Sequence, residues 1–332
     1  MSTTRPRGAC GDSIILHPPG SVEILGGPVF KRFLERQPAD LVHAWSVPCA
    51  TAARAATDAA LVLEIFDPAI VAGRIKRLRV LCELHRVGVS CASAIVRRRL
   101  IEGGVPPDRS VVIRPPVDFS AVNHARRSGL REAIGVRSDQ VMILVPDPVN
   151  REGGAFDAFS AVSMVKSLLG VSVFVLPGCS SEAERVARFA STMSRMPALI
   201  RTFDRFAFEQ LAGAADILLI AAKEDISTTS IAWAMAGGAV VIGAAIPCIA
   251  ELIAHKVNGL LFNPKAGCGP VVSIAKLLEQ RESFRKVAEA GRGQAYEVFG
   301  ARRYADQHVR LYENVLEGRP AAEGIVDSAK AG

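Results

Sequence analysis

The sequence predicts two α/β domains built on parallel sheets, and three observations carry that prediction. Short apolar runs at 141–145, 217–220 and 239–242 lack polar alternation, as expected of strands covered on both faces. Segments of helical length separate these and similar runs, so the order is strand, helix, strand rather than hairpins. A chain of 332 residues, 49% hydrophobic and 22% charged, can bury a sizeable core and divides naturally into two domains.

In chain order, residues 1–12 are polar and expected to be disordered, 13–16 form a short strand and 17–20 a turn. Residues 28–37 read as a helix, and Gly26-Gly27 before it reads as a turn, with a ligand-facing loop as the alternative. Strands at 40–46, 60–65, 87–91 and 111–113 then alternate with helices at 50–57, 74–86 and 94–102. This makes 13–128 a Rossmann-like domain. A second such domain over 129–303 carries strands at 141–145, 171–176, 200–203, 217–220, 239–242 and 260–262. Its expected helices are 155–168, 183–193, 208–214 and 230–236. A helix follows at 304–317, and 318–332 reads as a flexible tail.

No apolar run approaches the roughly 20 residues of a membrane-spanning helix, and no signal-peptide pattern opens the chain, so a cytoplasmic protein is expected. Seven cysteines, odd in number and without a Cys-x-x-Cys pair, argue against a disulfide frame or structural zinc. Cys10, Cys49, Cys82, Cys91, Cys179, Cys248 and Cys268 read as small buried apolar groups. The net charge of +7 lies entirely in the first part: residues 1–135 hold 19 Lys and Arg against 12 Asp and Glu, and the rest holds 21 of each. Arg74–Arg86 can be drawn as an amphipathic helix with Ile75, Leu78, Val80, Leu81 and Cys82 on one side. Its alternatives are an ordinary solvated face or a surface for anionic membranes, with Arg97-Arg98-Arg99 nearby. With 6% aromatic residues and no recognised motif, nucleic-acid binding is not expected.

The densest signal runs from Ala215 to Pro264. Asp216 opens an apolar strand, a polar turn Lys223-Glu224-Asp225-Ile226-Ser227-Thr228-Thr229 follows, and a helix reaches Ala234-Met235-Ala236-Gly237-Gly238 before the next strand. Pro247, Glu251 and Asn258-Gly259-Leu260-Leu261 come after. At these residues the chain resembles the retaining family 4 glycosyltransferases of the GT-B fold. His43 in the 40–46 strand and the interdomain segment Arg114-Pro115-Pro116-Val117-Asp118-Phe119 extend the resemblance over about residues 38–318. It implies two Rossmann-like domains facing a central cleft, the first of them shortened, with the 304–317 helix returning to pack on the first domain.

The resemblance also implies a chemistry. A sugar passes from a nucleotide-sugar donor to a glycan, lipid or small acceptor with retention, without metal or other cofactor, in cell-envelope polysaccharide assembly, with a peripheral place on the membrane. The catalytic carboxylate would be Glu224 or Asp225, whose plain alternative is an exposed helix cap. Arg151, Gly153, Arg205, Ser227, Thr228, Thr229 and Trp233 would face the donor and His43 the acceptor. For Arg151 and Arg205 the plain alternative is a surface charge, for Trp233 a core residue and for His43 a structural role. Several positions depart from the family pattern. Asp147 and Glu152 stand where it has Arg and Lys, Phe66 (before a matching Asp67) where it has His, and Trp233 where it has Glu. A unit charge about 4 Å from a phosphate is worth on the order of 4 kcal/mol at an effective dielectric of 20, so these reversals matter. Two functional readings therefore stand: a working glycosyltransferase, and a catalytically inactive relative that serves as a binding or scaffolding subunit.

Overall fold

The computed structural model describes residues 2–4, 15–17, 32, 39–66, 68–147, 149–169, 172–178, 180–192, 198–202, 205–266 and 269–327. Gly26-Gly27, most of the helix expected at 28–37, Asp67, Cys10, Cys179 and Cys268 lie outside them. The chain opens with an antiparallel pair, β1 (Ser2–Thr4) and β2 (Ile15–His17). A strand thus stands inside the segment expected to be disordered.

The first sheet holds β3 (Leu41–Ala44), β4 (Ala60–Ile65), β5 (Val87–Cys91) and β6 (Ser110–Val112), all parallel and side by side in chain order. Helices α1 (Val47–Ala56), α2 (Pro68–Cys82) and α3 (Ala94–Glu102) connect them. Ser46 and Ser93 begin α1 and α3 by accepting hydrogen bonds from the amides of Cys49 (3.3 Å) and Val96 (3.2 Å), which satisfies donors that have no partner inside the helix. In α2, Leu78, Leu81 and Cys82 are buried, but Val80 is exposed beside Arg77 and Arg79. Val80 therefore leaves the apolar side on which the sequence reading placed it.

The second sheet has the order β12-β11-β10-β7-β8-β9, where β7 is Val141–Leu144, β8 Ser172–Leu176, β9 Ala198–Arg201, β10 Ile217–Ile220, β11 Val240–Ala244 and β12 Leu260–Phe262. All five pairings are parallel. From β7 the chain winds outward through β8 and β9, then returns to β7's other side and winds through β10, β11 and β12. That reversal makes a topological switch point between β7 and β10, where a crevice opens beyond the strands' C-terminal ends.

Helices α4 (Phe119–Arg127) and α5 (Leu130–Ala133) precede this sheet, and α6 (Ala155–Leu169), α7 (Ser181–Thr192), α8 (Phe208–Ala214), α9 (Thr229–Gly237) and α10 (Pro247–Ala250) connect its strands. Three more follow: α11 (Gly269–Glu279), α12 (Arg281–Val298) and α13 (Ala301–Leu316). The chain crosses between domains near Val117, whose amide donates to the carbonyl of Phe299 (2.9 Å). Helix α4 packs on α8, and its Val122 belongs to the second domain's core. At the opposite edge from the crevice, Asp216 accepts from the Met142 amide (2.7 Å) and from Arg131 (2.9 Å), fastening the start of β10 to β7.

Helix α13 lies on the first sheet, with Leu311 and Val315 against Ala60, Val62, Val111 and Ile113. Residues 318–327 return along it, which corrects the expectation of a free tail for that part. Ala321 is buried, its amide donates to the carbonyl of Asp108 (2.6 Å), and Asn314 donates to the carbonyl of Glu323 (2.9 Å). Arg114, 1% exposed, holds Asp327 through two hydrogen bonds (3.1 and 3.0 Å) and Glu251 of the second domain through another (2.6 Å). One guanidinium thus ties together the interdomain segment, the second domain and the chain's last described residue.

Candidate active site at the switch point

Three loops meet at the C-terminal edge of the second sheet. Residues 145–154 follow β7, 221–228 follow β10, and Ala245-Ile246 lead from β11 into α10. Ser230, in the first turn of α9, links the first two: its hydroxyl donates to the carbonyl of Asp147 and accepts from the Asp147 amide, both at 3.1 Å. Gly154 brings them closer still. It has φ +71°, and a Cβ there would lie 2.1 Å from the carbonyl oxygen of Ala221, so only glycine fits. Asn150 shapes the same loop by accepting from the amide of Gly153 (2.7 Å).

The catalytic, donor-side and acceptor-side residues named from sequence divide into three groups. Arg151 and Gly153 lie in the loop after β7, and Ser227, Thr228 and Thr229 in the turn after β10, the two loops that Ser230 and Gly154 hold against each other. Arg151 is exposed, and its guanidinium has no hydrogen-bond or ion-pair partner among the described residues. Ser227 and Thr229 share a hydroxyl hydrogen bond (3.0 Å). Thr228 stands at the N-cap of α9 but makes no capping bond, and its hydroxyl oxygen is buried without a partner among the described residues. Ser227 accepts from the amide of Thr229 (3.4 Å), the first of this nine-residue helix, so anion binding at its start falls to the next amides.

The two candidate carboxylates have different surroundings. Asp225 has a side chain only 7% exposed, gripped by Arg99 of the first domain (2.5 Å) and by the amide of Cys248 (3.0 Å). Glu224 is exposed. Cys248 also accepts from the Ile226 amide (3.4 Å), and burial pushes its thiol up to about 12, so it stays neutral near pH 7.

Trp233, Arg205 and His43 are held elsewhere. Trp233 is partly buried against the second domain's core. Arg205 follows β9 at the sheet edge, two strands from β7, with its guanidinium over the ring of Phe206 (5.9 Å). His43 lies beneath α13, where its Nδ1 meets the hydroxyl of Tyr312 (2.8 Å).

Sequence reasoning missed Arg99 and Arg114. Arg97-Arg98-Arg99 read as one basic face, but the three side chains separate. Arg97 donates to the carbonyls of Ser110 (2.9 Å) and Pro107 (3.0 Å), Arg98 pairs with Glu102 on the helix surface (3.8 Å), and Arg99 reaches Asp225. Consecutive helix residues point about 100° apart, which was the available signal.

No protein-family model and no curated protein matches this sequence. Solved structures do match the fold. A glycosyltransferase from Rickettsia africae is 18% identical, with a TM-score of 0.73 over 90% of this chain and 83% of its own. Anabaena HepE, solved with UDP and glucose, is 17% identical, with a TM-score of 0.74 over 89% of this chain and 83% of its own. Sucrose-phosphate synthase from Thermosynechococcus elongatus is 15% identical, with a TM-score of 0.74 over 88% and 77%. HepE was also solved with UDP-glucose. Two parallel sheets with alternating helices, the GT-B arrangement of these glycosyltransferases, are thus the arrangement found here.

Proposed function

We propose that this chain is a glycosyltransferase that holds a nucleotide-sugar donor in the crevice between the loops after β7 and β10 and transfers the sugar with retention. The observation that carries the reading is that the loop after β7, which bears Arg151, packs at the switch point of a six-stranded parallel sheet against the turn that leads into α9, where the Thr228 hydroxyl has no partner among the described residues. A diphosphate needs such a set: amide donors, a hydroxyl and a cation.

In the transfer, the bond from the sugar's anomeric carbon to the diphosphate breaks as an acceptor hydroxyl oxygen bonds that carbon. The acceptor's proton passes to the departing phosphate oxygen. Arg151 and the α9 amides stabilise the charge that grows on that oxygen. Glu224 is the carboxylate free to accept hydrogen bonds from the sugar, because Asp225 is already held by Arg99 and Cys248. Asp147 and Glu152 flank Arg151 in the same loop, and both are exposed.

That same Arg99–Asp225 pair favours a second reading, in which the closed crevice belongs to a non-catalytic subunit. A thermal-shift series against UDP, GDP, ADP and their sugars separates the two. A ligand at about 100 times its dissociation constant stabilises a fold by roughly 2.7 kcal/mol. A rise with one nucleotide class, followed by release of that nucleotide from its sugar, is the expected result. Silence from every nucleotide discards the enzyme. The acceptor is proposed to be a glycan or lipid, and the exposed Lys76, Arg77, Arg79 and Val80 on α2 suit a peripheral approach to an anionic membrane. Among the described residues no helix is long and apolar enough to cross one.

A further inference from the structure

Away from the crevice, the first domain buries a carboxylate. Along β4, Ala60, Val62 and Glu64 share the face covered by α13, as alternation requires. His43 on β3 lies beside Val62 in register, and Tyr304, His308 and Tyr312 fall four apart on α13. Glu64 has no side-chain exposure and no Lys or Arg pairs with it among the described residues. The hydroxyl of Tyr304 donates to its oxygens at 2.9 and 2.8 Å. One hydroxyl is little compensation for a buried negative charge.

Two imidazoles face that carboxylate. His43 Nε2 is 3.4 Å from Glu64 Oε2, and His308 Nε2 is 3.7 Å from Glu64 Oε1. Both nitrogens are buried without a hydrogen-bond partner among the described residues, and the His308 side chain is 4% exposed. Their other nitrogens are occupied. His308 Nδ1 meets the carbonyl of Tyr304 (3.0 Å), and His43 Nδ1 meets the Tyr312 hydroxyl (2.8 Å). A carbonyl only accepts, so the His308 proton sits on Nδ1 and the neutral ring turns its Nε2 lone pair toward Glu64. His43 takes the same form when the Tyr312 hydroxyl accepts from its Nδ1, and one ligand atom from each of the three residues lies within 4.8 Å of the others.

We propose that His43, Glu64 and His308 form a binding site for a divalent transition metal, Zn²⁺ by preference, that clips α13 to the first sheet. Two imidazoles and a carboxylate suit zinc, and a partner on the far ring nitrogen is the usual way a metal-ligating histidine is oriented. The cation balances the buried charge of Glu64. It joins β3 and β4 to the chain's closing helix, and its site is separate from the sugar-transfer crevice.

The test uses the full chain, stripped with chelator and titrated with Co²⁺ or Zn²⁺ alone. One Co²⁺ per chain with the visible absorption of a four-coordinate N/O site, displaced by Zn²⁺, is expected. The melting temperature should rise with Zn²⁺ and fall back with chelator. His308→Gln and Glu64→Gln should abolish stoichiometric binding, and Tyr304→Phe, which keeps the ring, should weaken it about 10- to 100-fold. Failure of the wild-type chain to take up either metal overturns the proposal. So do thiolate charge-transfer bands, which assign the metal to cysteines, or binding that persists unchanged in both Gln variants.

Discussion

The two domains place their polar groups in opposite ways. In the second, the six-stranded sheet is lined largely by Ile, Val, Leu and Ala, and the polar side chains of the candidate site stand in loops beyond the strand ends. In the first, helix α3 gives Arg99 to the second domain, while Glu64, His43 and His308 are enclosed between sheet and helix. Loops at a sheet edge part to exchange a ligand, whereas an enclosed polar cluster keeps what it holds. A substrate site and a structural clip are the roles that these placements suit.

The strongest way to break this comparison is at the joint between the domains. Replacing Arg114 with Met leaves Glu251 and Asp327 without their buried cation, and should cost about 3–5 kcal/mol in denaturant unfolding. A cost below about 1 kcal/mol would show that water reaches the two carboxylates. Gly154→Ala tests the crevice itself. The added Cβ meets backbone, not a flexible side chain, so about 3 kcal/mol of strain is expected, confined to the second domain. Hydrogen exchange that loosens the first sheet equally would contradict that confinement.

Smaller effects sharpen the contrast. Arg151→Ala should weaken nucleotide binding at least tenfold, about 1.4 kcal/mol, with unfolding unchanged because the side chain is exposed. Equal affinities by calorimetry remove Arg151 from the site. Arg99→Ala should lower stability by about 1 kcal/mol, since Arg99 is 35% exposed and water screens the pair, and should open the crevice. An unchanged scattering radius would mean that the pair does not hold the domains closed. Least of all, Arg77→Ser should reduce pelleting with anionic vesicles by about 1 kcal/mol or less. Equal recovery with neutral and anionic lipid ends the membrane proposal.

Strand positions were legible because a strand buried on both faces advertises itself as a short apolar run: 60–65, 87–91, 217–220 and 260–262 match to the residue. Helices α11 and α12 went unread although they are regular, and α2 begins six residues before its expected start. Helix ends depend on caps and neighbours as much as on local pattern. In the crevice, the turn 224–229 stood out for its run of acids and hydroxyls. His43 stood out too, with an acceptor-side and a structural role as its two readings, and its surroundings suit the structural one. Glu64 carried a usable signal, a charge inside an otherwise apolar strand, and it was passed over.

Local residue pattern accounts for the alternation of elements and the apolar identity of the strands, because burial on both faces selects residue types position by position. The tertiary structure decided the strand order, and with it the switch point between β7 and β10. It also decided the partners of charged groups: Arg99 with Asp225, Arg114 with Glu251 and Asp327, and Glu64 with His43 and His308. Those contacts join residues far apart in the chain, and nothing in the local pattern of either partner specifies the other. They form only when sheets and helices have packed and burial leaves each charge the neighbours that reach it.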